Sequence, residues 1–455
     1  MLVLFSDIHL TDESTSSNVH PSAFDILKKE ILDASKKDAR DIRVIMVGDI
    51  FDIVRTDYWN RNKIPKDKRP WNGTLDNKTA TNNNFNDISD QYSHILNDIL
   101  LTKSAQSFVN MLNTLRDESN LDTFVTYVIG NHDQALNNFP NLKTILSNNI
   151  RNLEFSHCYK NPDYGVLARH GHEWDEECYG LELYNKVLTN NGGLKRFEDD
   201  SYKVMSIGEV ITAELMGGII YYVNQGLIQN NFKSEEDKIF LKELKDVNNL
   251  RPMLATFRWL DWFTSNRDGK YTPIISEALK NSIDAVINSE LGKKWDDLKK
   301  PLIRPIGGDI TDWLDFARNH IVGTQGLETL RKLSSILYDT FFLKNTSTKD
   351  DLVDGAKKEW ENHNISDAYQ YVIYGHTHEA RTDCFTGNVN GTVKMYINSG
   401  TYLPMIELTE DQNGFATSYQ MTMIFVYADD ENTADKKTEG PTIDIWNGLM
   451  RKTYI

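Results

Sequence analysis

Five times along the chain an apolar run stops at a short cluster of metal-ligating residue types, and few folds can accommodate that pattern. Leu2-Val3-Leu4-Phe5 runs into Asp7 and His9, and Arg43-Val44-Ile45-Met46-Val47 runs into Gly48-Asp49. The stretch from Thr123 to Ile129 ends in Gly130-Asn131-His132-Asp133, and Val166 to Arg169 ends in His170-Gly171-His172. Tyr369 to Tyr374 ends in Gly375-His376-Thr377-His378. Continuous apolar runs of this kind read as strands buried on both faces, and chemistry collects at the carboxyl ends of such parallel strands. One Asp-x-His pair is commonplace in loops; five clusters in series demand strand ends that meet.

With 455 residues, 40% of them hydrophobic, the chain can bury a large core as one elaborated domain or two. A formal charge of -16 argues against a general polyanion-binding surface, since phosphate-backbone affinity rests on Lys and Arg. Cys158, Cys178 and Cys384 lie far apart, without disulfide or metal spacing, and read as reduced thiols of a cytoplasmic protein. The stretch at Met1 has no basic n-region and is not expected to be a signal peptide. Val204 to Val223 is the best membrane candidate, but Glu209 and Glu214 interrupt it, so a buried helix and no membrane partner are expected.

The first two strands bracket a helix from Pro21 through Leu32, a βαβ unit. Val54 to Asp90 reads as a long loop, followed by a helix from about Ile88 to Arg116. Short strands fit Leu153 to Tyr159. Residues 1–172 thus form a first part of a core. From 173 to 368 the alternation stops, and helical spacing marks Leu181 to Leu188, Val204 to Gln229, Glu235 to Phe263, Ile274 to Leu291, Trp313 to Leu343 and Leu352 to Trp360. Thr348 with Asp351 suggests a capping box for the last of these. Residues 369–455 complete the core, with Val393 to Ile397, Gln420 to Tyr427 and Thr442 to Trp446 as strands of a closing antiparallel layer.

Carboxylate, imidazole and amide ligands without cysteine suit divalent ions such as Mn, Fe, Zn or Ni. The motifs Asp7-x-His9, Gly48-Asp49, Gly130-Asn131-His132-Asp133, His170 and Gly375-His376-x-His378 resemble, in that order, those of the calcineurin-like metallophosphoesterases. The resemblance covers residues 1 to about 172 and 369 to 427. It implies an α/β fold of the α+β kind: a two-layer β-sandwich flanked by helices, with a large helical insertion. It implies two divalent cations, Mn first among them, one held by Asp7, His9, Asp49 and His378 and the other by Asp49, Asn131, His170 and His376. Two such cations about 3.5–4 Å apart can hold a bridging hydroxide and align an in-line displacement at phosphorus. It further implies that His132 stabilises developing charge or protonates the leaving oxygen, with Asp133 orienting it.

His172 is expected either beside the phosphate or in a structural pair with Asp175, and Asp52 either accepts from a ligand histidine or caps the next helix. Asp52 stands where the purple acid phosphatases, which resemble this pattern, place Tyr, so an Fe(III)–tyrosinate centre is not expected. His132 stands where the similar UDP-diacylglucosamine hydrolases have Arg.

Arg55 to Trp71 carries Arg55, Arg61, Lys63, Lys66, Lys68 and Arg69 among Tyr58, Trp59 and Trp71. Beside the metals this segment is expected either to read phosphate and nucleobase, Arg55 foremost, or to be a solvated loop. The aromatics from Thr256 to Phe263 have helical spacing and are expected in a core. The insertion joins two ligand-bearing motifs, so it is expected to cap the site and to favour small or threaded substrates. The expected activity is hydrolysis of a phosphodiester in a nucleotide or single-stranded nucleic acid. A small-molecule phosphomonoesterase or pyrophosphatase is the alternative, and a non-catalytic metal scaffold the third reading.

Overall fold

The computed structural model describes residues 1–189, 193–251, 255–267, 269–299, 351–361, 368–386, 393–409, 411, 413–434 and 439–454. The expected helix at Trp313 to Leu343 and the Thr348 cap lie outside them. The fold is mixed α/β, built on two mixed sheets. In the first sheet β1 (Leu2–Phe5), β2 (Ile42–Val47), β3 (Thr123–Val128) and β4 (Leu153–Ser156) run parallel, with Val3 opposite Val44 and Val44 opposite Val125. The second sheet contains β5 (Tyr159–Asn161), β6 (Val166–Ala168), β7 (Tyr371–Tyr374), β8 (Ala380–Thr386) and β9 (Val393–Ser399). Its centre, β6-β7-β9, is parallel and its edges, β5 and β8, are antiparallel. Finally β10 (Pro404–Leu408), β11 (Phe415–Tyr427) and β12 (Thr442–Tyr454) return to the first sheet, β11 lying antiparallel to both β1 and β12. The closing strands are therefore divided between the sheets, with β9 joining the second as a parallel strand. β8 and β10, which no sequence signal marked, complete them.

Period-two alternation explains the layers. Leu2, Leu4, Ile45, Val47 and Ile424 point between the sheets, where they meet Val166, Ala168, Ile373 and Ile397. Val3, Phe5, Val44, Met46 and Tyr127 point outward and are covered by helices Ser22–Ser35, Phe85–Leu100 and Lys103–Ser119. On the far side Leu167, Val372, Tyr374 and Tyr396 receive Leu352, Val353, Ala356 and Trp360 from the helix at 351–361. The helix expected from Ile88 to Arg116 is two helices. Thr102 interrupts it, its extended backbone and side chain capping the second helix through the Ala105 N–H at 3.3 Å.

The insertion shares its core with the first sheet. Val210, Ile219, Val223, Phe257, Trp259, Leu260, Phe263, Ile275 and Leu279 belong to the same apolar cluster as Phe5 and Met46. The stretch expected to be one helix from Glu235 to Phe263 is instead Glu235–Leu244 and Thr256–Ser265, and between them Leu250 bridges to Ile406 of β10. Asp199–Gln229 has the length and composition to cross a membrane, but 89% of its apolar window is buried inside the protein. Glu214 there pairs with Arg69 at 2.5 Å, and Glu209 accepts from the Ser206 N–H at 3.0 Å.

The Arg55 to Trp71 segment divides: Lys63, Lys66 and Lys68 are exposed, as in a solvated loop, while Trp59, Trp71 and Arg69 are folded in. Trp71 and Arg69 both donate to Glu214 of the insertion. Arg61 is held by Asp12, Asp57 and Asp98. The folded-in part is an ordered support, fixed because Glu214 needs buried donors.

Candidate metal centre

Beyond the ends of β1 and β2 the two chains continue to pair through their loops. Asp7 N–H donates to Gly48 O at 3.1 Å, His9 N–H to Asp49 O at 2.9 Å, and Leu10 N–H to Ile50 O at 2.8 Å. The second sheet's own strand ends stay paired through Gly375 N–H to His170 O at 2.9 Å, and the sheet is locked alongside the first by the His376 N–H to Asp7 Oδ2 at 3.0 Å. Asp7, His9, Asp49, His376 and His378 all hold positive φ, between 49° and 72°. Non-glycine residues pay for that conformation only where the surrounding structure enforces it, and such strain gathers at functional sites. Gly48 and Gly130 carry the complementary demand: a Cβ at Gly48 would strike the His170 ring, and one at Gly130 would strike the Asp49 carboxylate.

Two groups of donors result. In one, Nε2 of His9 lies 3.6 Å from Asp7 Oδ1 and 3.0 Å from His378 Nε2, and His378 Nε2 is 3.4 Å from Asp7 Oδ1. In the other, His170 Nε2 faces Asp49 Oδ2 at 3.2 Å and Asn131 Oδ1 at 3.1 Å. Asp49 Oδ2 is also 3.8 Å from His9 Nε2, so this carboxylate borders both groups. The far ring nitrogens are committed elsewhere: His9 Nδ1 to Asp52 Oδ2 at 2.8 Å and His170 Nδ1 to Val47 O at 2.9 Å. Those contacts fix the tautomers that leave each Nε2 lone pair facing the carboxylates. His376 is anchored through Nε2 to Asp175 Oδ2 at 3.1 Å, and its ring centroid lies 5.3 Å from that of His170.

The donor set fits divalent cations. Asp7 Oδ1 is buried with no hydrogen-bond donor among the described residues, facing two imidazole nitrogens. Burial works against positive charge on His170, yet Asp49 raises it to about 10, a measure of how strongly the carboxylates call for a cation. Asp49 itself, despite burial, is held well below the usual carboxylate range by His170, His132 and His9. Burial, with Arg251 and His9, pushes His378 well below its ordinary value, leaving it neutral as a ligand must be.

Two expected roles change hands. Asp133 does not orient His132. It accepts from the Gly130 N–H at 2.5 Å, from the Ile50 N–H at 3.2 Å and from the Tyr127 hydroxyl, stapling two ligand loops together. Burial and Asp49 push its carboxyl up to about 7. The acid beside His132 is Asp52, whose Oδ2 lies at ion-pair distance, 3.0 Å from His132 Nδ1, and is hydrogen-bonded to His9 Nδ1. Its Oδ1 accepts the Val54 and Arg55 N–H groups of a bend, while the next helix starts at Tyr58 with Asp57 as its N-cap, so Asp52 supports His9 and does not cap a helix. Likewise Asp175 pairs with His376 and not with His172. His172 is buried, packed on Tyr179 and Tyr202 behind the His170 and His376 rings, and burial pushes it down to about 3.

Arg55 lies beside the centre, Nε 3.2 Å from Asp52 Oδ2. Arg251 of the insertion, which no sequence signal marked, reaches the same place: its Nη2 donates to His378 Nδ1 at 2.6 Å. Burial first and Arg55 second push its guanidinium down to about 9. Cys178 joins Asp175 and His376 in a third donor cluster, and all three cysteines are free thiols. No family model matches the chain, and no curated protein is significantly similar to it.

Proposed function

We propose that this chain is a phosphoesterase of the calcineurin-like metallophosphoesterase kind, hydrolysing a phosphate ester at a site that holds two divalent cations. The observation that carries the reading is the pair of donor groups bordering Asp49, drawn from the ends of β1, β2, β3, β6 and β7. Asp7, His9 and His378 would hold one cation, His170, Asn131 and His376 the other, and Asp49 both. Bound there, the cations supply Lewis-acid neutralisation of phosphate oxygens and acidify water.

The protein's own groups supply the remainder. His132, set beside Asp52 and anchored by its backbone N–H to Asp49 Oδ1 at 2.9 Å, presents an imidazole edge next to His9, ring centroids 4.8 Å apart. A histidine so placed can give a proton to a leaving oxygen. Burial holds it below its ordinary value, so its protonated form gives the proton up readily. Arg55 adds positive charge on the same side.

The sequence pointed first to a phosphodiester in a nucleotide or single strand. One observation favours the small-ester reading: Trp59, Trp71 and Arg69, the groups that would stack and grip a strand, are folded into the core. Hydrolysis of a nitrophenyl phosphodiester and of the matching monoester by Mn-loaded protein is the test, with Asp49→Ala as the blank. Wild type is expected to turn over at least one, and the variant to lose both activity and metal. An Asp49→Ala protein that kept both would sink the assignment.

A further inference from the structure

We infer that Arg251, carried by the insertion, and Arg55, carried by the loop after Asp49, form a phosphate-binding subsite beside His9 and His378. This subsite selects substrates that end in a dianionic phosphate. The inference deepens the proposed hydrolysis and rests on that reading of the centre.

The buried Arg69 and Arg169 show what a structural arginine looks like in this protein. Arg69 meets Glu214 at 2.5 Å and Arg169 meets Glu359 at 2.6 Å, each guanidinium matched to its own acid. Arg251 has no such match. Its Nη1 donates to the carbonyls of Leu250 at 2.8 Å and Asn248 at 3.4 Å, which fix the side chain, while Nη2 reaches His378; among the described residues no carboxylate pairs with it. Arg55 is only 5% exposed, shares its one acid, Asp52, with His9 and His132, and leaves Nη1 without a hydrogen-bond partner. A buried donor that the protein leaves unsatisfied is costly unless a ligand completes it.

The contact to His378 is itself provisional on chemistry. Nη2 of Arg251 also lies 3.3 Å from His378 Nε2; with Nε2 given to a cation the ring proton sits on Nδ1, and Nη2 loses both acceptors. Two guanidinium groups, close enough that Arg55 disfavours charge on Arg251, then stand beside the donor groups, and their forks suit phosphate oxygens. A monoester at neutral pH carries nearly two negative charges and three free oxygens, whereas a diester carries one charge and two. The pair therefore favours the dianion. Arg251 is held in place by the insertion's docking on the core, through its own N–H to Ile406 O at 2.9 Å and Asn248 Nδ2 to Thr15 O at 2.9 Å.

Inorganic phosphate titrated calorimetrically into EDTA-stripped and Mn-loaded protein tests this, with Mn stoichiometry measured in parallel. Arg251→Ala and Arg55→Ala are each expected to weaken phosphate binding about 10- to 100-fold, the worth of a charge-assisted hydrogen bond, while still taking up Mn. Arg251→Lys is expected to fall between. Turnover of the nitrophenyl monoester should drop more than that of the diester. Unchanged phosphate affinity in Arg251→Ala, or loss of Mn uptake by it alone, would make Arg251 a support for His378 and overturn the subsite. Should wild type take up no Mn, the proposed hydrolysis falls, and the ratio of phosphate affinities in stripped protein still decides the arginines.

Discussion

The strand-end loops and the insertion both deliver side chains to the same centre, by opposite means. Asp7, His9, Asp49, His376 and His378 get there through left-handed backbone immediately after a strand, whereas Asp175 and Arg251 do so without positive φ. The first group is positioned by the few residues on either side; Asp175 ends the short turn after His172, and Arg251 depends on how an entire helical segment docks. Local strain therefore marks five of the seven groups that would hold cations, Asn131 and His170 being the exceptions, and tertiary packing supplies those that steady or supplement them.

If that division is right, the largest effects belong to the strand-end side. His132→Ala is expected to keep full Mn uptake and lose turnover by about 10²-fold or more, read as kcat on the better nitrophenyl ester. Unchanged turnover would remove its role. Asp52→Asn, which weakens the hold on both His9 and His132, is expected to cost about 10- to 100-fold in metal affinity or activity; Asp133→Asn, by contrast, should lower Tm more than kcat. On the insertion side Asp175→Ala is expected to cost about 10-fold in metal affinity through His376, the low end of that range. A loss as large as that of Asp52→Asn would blur the division.

The smallest effect lies wholly within the insertion. Burial raises the Glu209 carboxyl to about 8 from an ordinary 4.5, so the folded state keeps a proton that the unfolded chain gives up. The contribution of neutral Glu209 is complete below 4.5 and is lost as pH rises to about 8. Glu209→Gln is expected to flatten Tm across that window and leave Mn uptake alone; equal slopes for the two proteins would show that Glu209 does not set it.

The same division explains what could be read in advance. β1, β2, β3, β6 and β7 were legible because each is an apolar run of strand length, and their ligands because the chemistry follows within a few residues. The pairing of acids with histidines was not. The resemblance implied Asp133 for His132 and sequence proximity suggested Asp175 for His172, while the loops cross so that Asp52 lies against His132 and Asp175 serves His376. Arg251 gives no signal at all in a single sequence, being one arginine among many. The burial of Trp59 and Trp71 was hidden because the acid that receives the Trp71 and Arg69 donors, Glu214, lies far along the chain.

The strand order also dictates when the centre can come into being. Leu2 pairs with Val426, and Ala168 with Ile373 across the whole insertion, so the contacts that close the two sheets are among the most remote in the chain. Contacts of such long range form late and slowly, because the loop-closure entropy is spent before they repay it. A nascent chain can build the β1–β2–β3 ladder early, but His9 waits for His378 and Asp49's partner loops wait for β7. During that interval the β11-facing edge of β1 is exposed, and this is the surface that a chaperone, or a neighbouring nascent chain, meets first.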